Sequence, residues 1–271
     1  MLLEAAADIF RRLGAEVVDI DVPFTVQDYR ACVRLIGQAE ALSIHEETFR
    51  TRHHLMGRAL RDKVVGSISL SAAEFVRATR WRREIIERTD AAVRSCDAVL
   101  CGGSLHAVPL LNDEPATIAY MLDSPNCVFN VTGHPSAAVC AGLDARGLPM
   151  SIQIAARYFD EATVFRVAAA YEAATGSTKA RAPLTAGTLP PPVRRAAAGV
   201  TVGAPGAEAA PSREAIAGIL RRMKVERVGD AMIERAHALC VNATVMIARV
   251  PASVPNDRDP AHVLALPQGL P

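Results

Sequence analysis

The clearest alternation of hydrophobic and polar positions in the chain lies at Met150–Ile154, where three apolar residues alternate with Ser151 and Gln153. This two-residue period predicts a β-strand with two different faces. A second apolar run, Ala137–Cys140, precedes it, and the connection between the two runs contains glycines and a proline. The pattern therefore predicts a β-hairpin or a looped pair of strands.

Helical periodicity follows this hairpin and also opens the chain. Apolar residues spaced three and four apart predict a helix around 164–171, which Gly176 ends, and another helix over Leu2–Leu13. Val18–Val22 alternates and predicts a half-exposed strand, whereas the apolar run Ala98–Cys101 predicts a buried parallel strand. Helices and strands that intermix in this way predict an α/β fold.

A helical stretch is also predicted over residues 25–60, and a second long helix follows it. Ser71 and Glu74 have the spacing of a capping box, which predicts that this second helix begins here and runs to about Val93. The helix is rich in arginine, which suits either an anion-binding patch or ion pairs within the helix. The interleaved acidic residues favour pairing on a solvated face.

The composition changes over residues 181–211, which are rich in proline, glycine and alanine and predict a linker. We therefore expect an α/β domain over 1–180 and a small helical extension over 212–271 with a proline-rich tail. Within the extension, Ser212 is expected to cap one helix, and Asp230–Ala248 to form another. Two helices of this size bury little apolar surface alone, so they should dock on the main domain or on a partner chain.

Composition and charge exclude several classes of function. Half of the 271 residues are hydrophobic and 4% are aromatic, so the core should be built from aliphatic residues. A net charge of +1 gives no electrostatic argument for a nucleic-acid or membrane partner. No run approaches the roughly 18 apolar residues of a membrane span, and the N-terminus lacks the basic start of a signal peptide. The six cysteines show no paired framework, which favours the reducing cytoplasm.

Neither of two histidine-containing stretches supports a metal site. His45 and Glu46 begin a zinc-protease pattern, but position 49, where the second histidine is required, is phenylalanine. His53 and His54 are adjacent, so on a helix their side chains diverge by about 100°. We therefore expect no metal ion and no cofactor.

Several motifs around the hairpin resemble the C-terminal core of the amidase signature family, whose members are serine hydrolases that cleave carboxylic amides. They are Asn130–Pro135, Gly147–Pro149, Gln153, Phe159, Glu161 and the end of the following helix at Tyr171-Glu172. The resemblance covers about residues 1–180. It implies a portion of the amidase-signature mixed sheet sandwiched by helices, to which the short α-helical C-terminal extension is added. One position departs from the family pattern, since Cys140 stands where a proline is usual.

The resemblance also bears on catalysis, because the family uses a Lys-Ser-Ser arrangement from its N-terminal half. In it, a neutral lysine takes a proton through one serine from the nucleophilic serine. The chain's lysines, Lys63, Lys179 and Lys224, match no such motif. We therefore expect no catalytic residue in this chain, and we expect it to be an amidase C-terminal portion that is inactive alone. The alternative is a non-catalytic binding or accessory subunit derived from an amidase.

Ser104 is the one serine that invites a different interpretation, because Gly102-Gly103-Ser104 follows a predicted strand, as a nucleophile loop does. A nucleophilic serine needs a base within hydrogen-bond reach and N–H donors for the oxyanion. His106 is too close in sequence to make a well-placed base. By its position, the segment instead matches a later strand-end loop of the family.

The resemblance implies a pocket wall at Phe129, Asn130, Thr132 and Gly133, together with the loop near 102–109. Asn130 and Thr132 are equally open to a structural role in a turn, through side-chain bonds to the backbone. The expected partner is a small-molecule amide substrate, bound once an N-terminal half completes the site. Assembly into a homo- or hetero-oligomer is left open.

Overall fold

The computed structural model describes residues 2–110, 112–177 and 210–252. The helices and strands of these residues are, in chain order, α1 Leu2–Arg12, α2 Val26–Arg52, the short 3-10 helix η1 His53–Leu55, α3 Arg58–Val65, α4 Ala72–Val93, β1 Val99–Gly102, α5 Glu114–Leu122, α6 Cys127–Thr132, β2 Ser136–Leu143, β3 Pro149–Ala155, α7 Glu161–Thr175, α8 Arg213–Arg222 and α9 Asp230–Ile247. They divide between two units. The first unit contains the described residues up to 30 and from 85 to 177, and the second contains 31–84 and 210–252.

A three-stranded antiparallel sheet with the order β1-β3-β2 lies in the first unit. The predicted hairpin is confirmed: β2 pairs with β3, and Val139 lies opposite Ile152. Asp144 shapes the turn, because its side chain accepts backbone N–H groups from Arg146 and Leu148 at 2.8 and 2.9 Å. Cys140 pairs with Ser151 in the sheet, next to an irregularity in the register.

Two strand predictions were wrong in part or in full. The run at Ala98–Cys101 forms β1, but it pairs antiparallel with β3 rather than in parallel. An apolar run indicates burial, whereas strand direction depends on the path of the chain between strands. The predicted strand at Val18–Val22 does not form, and Val18 and Val22 are 57% and 47% exposed. Among the described residues, no strand pairs with this segment, and an unpaired strand is not stable in water.

Helices α1 and α7 cover the sheet of the first unit. Their contacts form a core with the strands at Ala6, Val139, Ile152, Ile154, Ala168 and Tyr171. The rings of Phe10 and Tyr171 lie 5.3 Å apart between their centroids. The predicted helix α7 and its end at Gly176 are confirmed, and Gly176 adopts the left-handed conformation at φ +63°. At the other end, Asp160 caps the helix by accepting the N–H of Thr163. A mixed α/β fold with a small sheet is therefore confirmed.

The helices between residues 25 and 93 agree with the prediction in part. The predicted helix over 25–60 is interrupted, since α2 ends at Arg52 and α3 begins at Arg58. The capping box that opens α4 is confirmed: the Ser71 N–H and hydroxyl both donate to the Glu74 carboxylate at 2.7 Å. The local signals in the sequence thus place the beginning of this helix correctly.

The predicted docking of the C-terminal helices is found within the second unit. Helices α8 and α9 pack against the end of α2 and against α3, in a core that includes Phe49, Val64, Ile216, Leu220 and Leu239. Polar contacts accompany this packing, since the Glu226 N–H donates to the Arg50 carbonyl at 2.8 Å. Residues 178–209, and with them most of the predicted linker, lie outside the described residues, so the domain boundaries stay predictions.

All six cysteines are described, and all are free thiols. Burial raises the pKa of Cys32 to about 12 and the pKa values of Cys101 and Cys127 to about 11. Burial also raises the pKa of Cys96 and of Cys240. These thiols are therefore held in the protonated form, which is a poor nucleophile.

In the part of the chain that the structure describes, no helix is long and apolar enough to cross a bilayer. Within the same residues, no group of three histidine, cysteine, aspartate or glutamate side chains is arranged to hold a metal ion.

Candidate functional site

The expected pocket residues lie on α6 and at its C-terminal cap. Phe129 and Thr132 are buried, whereas Asn130 and Gly133 are exposed. Gly133 ends the helix with φ +82°, a left-handed conformation that glycine adopts without strain. Only Asn130 and Gly133 are therefore open to a ligand in this structure, and contact with substrate stays a prediction for all four residues.

Thr132 belongs to a buried hydrogen-bond network centred on His134. The Thr132 hydroxyl oxygen lies 2.9 Å from His134 Nδ1 and 3.0 Å from the Val128 carbonyl oxygen. On the other side of the ring, His134 Nε2 lies 3.3 Å from the Asp90 carboxylate. The Val128 carbonyl can only accept, so the Thr132 hydroxyl donates its single proton there, and His134 Nδ1–H donates to the hydroxyl oxygen.

Aromatic rings enclose the imidazole. Tyr158 stacks on His134 with centroids 4.1 Å apart and planes at 17°, and Phe129 meets the same ring edge-on at 6.2 Å. The Tyr158 hydroxyl donates to the Thr132 carbonyl at 2.7 Å, directly at the end of α6. His134 thus joins the C-terminus of α6 to α4 and to the segment after β3, and this network holds the predicted pocket wall in place.

Burial lowers the pKa of His134, while the hydrogen bond and charge of Asp90 act in the opposite direction and Arg94 lowers the pKa further. The unfolded chain, with an ordinary histidine pKa of about 6.5, therefore binds the proton more readily than the folded protein. The stability that a neutral His134 contributes is present above about pH 6.5 and is lost as the pH falls towards the lowered pKa.

We expect the wild-type protein to lose its stability advantage over a His134→Gln variant as the pH falls from 7.5 to 5.5. Glutamine keeps a donor and an acceptor but does not titrate in this range. Thermal unfolding of both proteins across this pH range measures the difference, with His45→Gln on α2 as the control. A gap in Tm that does not change with pH contradicts the assignment.

The loop after β1 is held close to β3 by backbone contacts. The Gly103 N–H donates to the Ser151 carbonyl at 2.9 Å, and the Ser124 hydroxyl donates to the Gly103 carbonyl at 3.1 Å. A side chain at Gly103 has no room, because a Cβ there would overlap the Ser151 side chain and lie 3.1 Å from the Ser151 carbonyl oxygen. The second glycine of the Gly-Gly-Ser sequence is therefore explained by packing.

Ser104 lacks the surroundings of a nucleophile. Its hydroxyl accepts the backbone N–H of His106 at 3.2 Å, and no hydrogen bond joins it to the His106 ring among the described residues. The His106 ring bonds instead to Asp123, with Nε2 and Oδ2 2.7 Å apart, and the Gln27 amide donates to the same carboxylate at 2.6 Å. These two hydrogen bonds lower the pKa of Asp123, and the bond from His106 has the larger effect.

The two segments expected to form the pocket wall, the loop after β1 and the end of α6, lie near different parts of β3. The loop begins next to Ser151, whereas β2 begins at Ser136, opposite Ala155. Four residues of a strand separate these positions by about 13 Å. The structure brings the loop close to the residues that precede α6, through Asp123 and Ser124, rather than to Asn130–Gly133.

Sequence reasoning missed the roles of His134, Asp90 and Tyr158. His134 was part of the motif that carries the family resemblance, but Asp90 lies 44 residues earlier in the chain. Asp90 also forms a 2.6 Å ion pair with Arg94, which fits the pairing predicted along the arginine-rich helix. The sequence signal available was the histidine itself, placed directly after the threonine and glycine that end α6.

Comparison with known proteins decides the family. The model of the family described as Amidase matches residues 2–165. The chain belongs to the amidase family. Among curated relatives of this amidase-family chain, a glutamyl-tRNA(Gln) amidotransferase subunit from Granulibacter bethesdensis is 32% identical over 215 residues. The match covers 69% of this chain and 42% of the relative, so the chain spans about two fifths of that relative's length.

Solved structures support the fold. A bacterial aryl acylamidase of the amidase signature family superposes with a TM-score of 0.52 at 19% identity, over 66% of this chain and 40% of the other. Kluyveromyces lactis allophanate hydrolase superposes with a TM-score of 0.57 at 16% identity, over 64% of this chain and 29% of the other. At these identities the similarity establishes the amidase fold of the shared region.

Proposed function

We propose that the chain forms the C-terminal portion of an amidase and contributes part of the pocket wall for a carboxylic amide substrate. The observation that carries the proposal is the family match over residues 2–165, in a chain that spans 42% of a curated relative's length. The proposed reaction is hydrolysis of a carboxylic amide C–N bond. It needs a lysine and two serines, which we assign to a half that lies outside this sequence, on the same polypeptide or on another.

The placement of the lysines and of Ser104 supports this assignment. Lys63 lies on α3, Lys224 follows α8, and Lys179 is outside the described residues. The Ser104 hydroxyl accepts the backbone N–H of His106. Within the described part of the chain, no side chain that could act as a general base forms a hydrogen bond with this hydroxyl. Without a base, a serine hydroxyl is a weak nucleophile at neutral pH, so this chain is proposed to be inactive alone.

Association with a second chain is part of the proposal. The curated relatives are named as subunits, and a C-terminal portion requires the remaining half of the amidase fold. We also propose a cytoplasmic location, which is supported by the free thiols of all six cysteines.

Co-expression with the missing half tests the proposal. The 271-residue chain is produced alone and together with the part of the Granulibacter bethesdensis relative that the match does not cover. Both samples are then treated with a serine-reactive fluorophosphonate, and amide hydrolysis is followed as ammonia release from glutamine. We expect no labelled serine in the chain alone, and labelling of the added half with ammonia release in the pair.

The control is the co-expressed pair in which the nucleophilic serine of the added half is changed to alanine. This pair should show neither fluorophosphonate labelling nor ammonia release. Stoichiometric labelling of Ser104 in the chain alone, abolished by Ser104→Ala, would overturn the proposal and make this a self-sufficient hydrolase. A stable complex with no labelling and no ammonia release would favour a non-catalytic accessory subunit.

A further inference from the structure

Helix α7 is apolar on the side that faces away from the sheet as well as on the side that packs against it. The inner side is buried at Val164, Ala168 and Tyr171. The outer face, on the opposite side of the helix, is exposed at Ala162, Phe165, Ala169 and Ala173. A helix that is apolar on both sides is normally enclosed by protein on both sides. The outer face of α7 is therefore a candidate surface for a partner.

Two exposed phenylalanines lie at the same end of α7. Phe165 is the largest apolar side chain of the outer face and is 69% exposed. Phe159, just before the helix, is 61% exposed, and its φ of +61° is a left-handed conformation that is strained for an aromatic residue. The backbone thus holds a second large apolar side chain in solvent. Large apolar side chains exposed together are typical of an interface between proteins.

The charged residues of the outer face are arranged symmetrically about its centre. Arg166 precedes Ala169 by three residues, and Glu172 follows it by three. The two charged positions are about 9 Å apart along the helix axis, so they are not placed to pair within one helix. Arg166 donates to the Thr163 hydroxyl at 3.0 Å, which uses one of the five N–H donors of a guanidinium. The outer face therefore has one cation and one anion at equal distances from Ala169.

This arrangement makes the outer face complementary to itself. In an antiparallel pair of identical helices related by a two-fold axis at Ala169, each residue before Ala169 lies level with the residue equally far after it in the other copy. Arg166 of each copy then lies level with Glu172 of the other, so two ion pairs can form. Phe165 lies level with Ala173, so the largest side chain of the face meets one of the smallest.

We propose that two copies of this chain associate through the outer face of α7, as an antiparallel helix pair centred on Ala169. Burial of Phe165 supplies most of the affinity, and the charges set the direction. A parallel pair in register would place Arg166 beside Arg166 and Glu172 beside Glu172, which is unfavourable. The proposal uses residues of α7 alone, so it does not depend on the proposed amidase role.

Sedimentation velocity of the full chain, from low to high micromolar concentration, tests the proposal. We expect the mass to rise from that of one chain, 28.8 kDa, to that of two. Arg166→Glu and Glu172→Arg each place like charges at both contacts, so each variant should dimerise more weakly by roughly tenfold. Phe165→Ala should weaken the dimer by a similar factor. Arg221→Glu, the same charge change at an exposed position of α8, should leave the dimer unchanged.

A mixture of the two charge variants gives the sharpest result. When one Arg166→Glu chain pairs with one Glu172→Arg chain, both contacts again join unlike charges. We therefore expect the mixture to form a heterodimer at concentrations at which each variant alone is monomeric. Native folding of each variant is checked by the near-ultraviolet circular dichroism of the tyrosines, which belong to the same unit as α7.

A wild-type chain that stays monomeric at every concentration would overturn the proposal. Dimers that tolerate both Phe165→Ala and Arg166→Glu would do the same, because the copies would then meet through another surface. Failure of the two folded charge variants to associate with each other would exclude the antiparallel pair. If the chain is monomeric and α7 is covered only in the complex with the added half of an amidase, the outer face belongs to that half and the proposal is wrong.

Discussion

Leu220→Ala is expected to lower the free energy of unfolding by about 2–5 kcal/mol. Leu220 is 0% exposed and lies in the core that α8 shares with α2, α3 and α9. Truncation removes apolar contacts and leaves a cavity among large neighbours such as Phe49 and Leu239. Helix α8 has ten residues, too few to be stable without such packing.

Urea unfolding followed by tryptophan fluorescence measures this effect. Trp81 is the single tryptophan of the chain and belongs to the second unit, so its emission reports on the unit that contains Leu220. Ile44→Ala is the matched control, because Ile44 is 75% exposed and its truncation should change the free energy by less than about 0.5 kcal/mol. Equal costs for the two variants would show that α8 does not pack as described.

Gly103→Ala is expected to cost about 1–3 kcal/mol, as overpacking of a tight contact generally does. The new methyl group would overlap the side chain of Ser151 and press on its carbonyl oxygen, which accepts the Gly103 N–H. Either the hydrogen bond or the position of the loop has to give way, so we expect the end of β1 to separate from β3.

The neighbouring glycine provides the control for this variant. A Cβ at Gly102 would lie 3.7 Å from the Ser104 carbonyl oxygen, an ordinary contact, so Gly102→Ala should cost much less. Ser151→Gly removes the overlapping side chain and should restore part of the stability lost in Gly103→Ala. All four tyrosines belong to the first unit, so near-ultraviolet circular dichroism during thermal unfolding reports on this region. A Tm of Gly103→Ala equal to that of Gly102→Ala would contradict the packing argument.

Features of the fold with local causes could be predicted from the sequence. The capping box at Ser71 and the glycine at 176 act within one helical turn, and both lie where they were expected. The hairpin follows from alternation and a short turn, which are also local. The strand at Val18–Val22 and the direction of β1 depend on which segments lie alongside, and neither alternation nor apolar content carries that information.

In the candidate site, too, the contacts between segments that are distant in sequence could not be predicted. The family motif correctly directs attention to Asn130–Pro135, but the residue that organises this segment is His134, through partners from α4 and from the segment after β3. A histidine in sequence does not reveal its acceptor, because Asp90 is brought to it only by the packing of α4. Thr132 was expected as either a pocket or a turn residue, and in the structure its hydroxyl is committed to His134 and Val128.

The shielded cysteines make the rare opening motions of this chain measurable with one alkylating reagent. A thiol with a pKa near 11 or 12 reacts with an alkylating reagent only when the surrounding structure opens and the group recovers its ordinary acidity. Cys32 and Cys240 lie in the second unit, and Cys101 and Cys127 lie in the first. Slow alkylation under native conditions, read by peptide mass spectrometry, therefore separates the opening of one unit from that of the other in a single experiment.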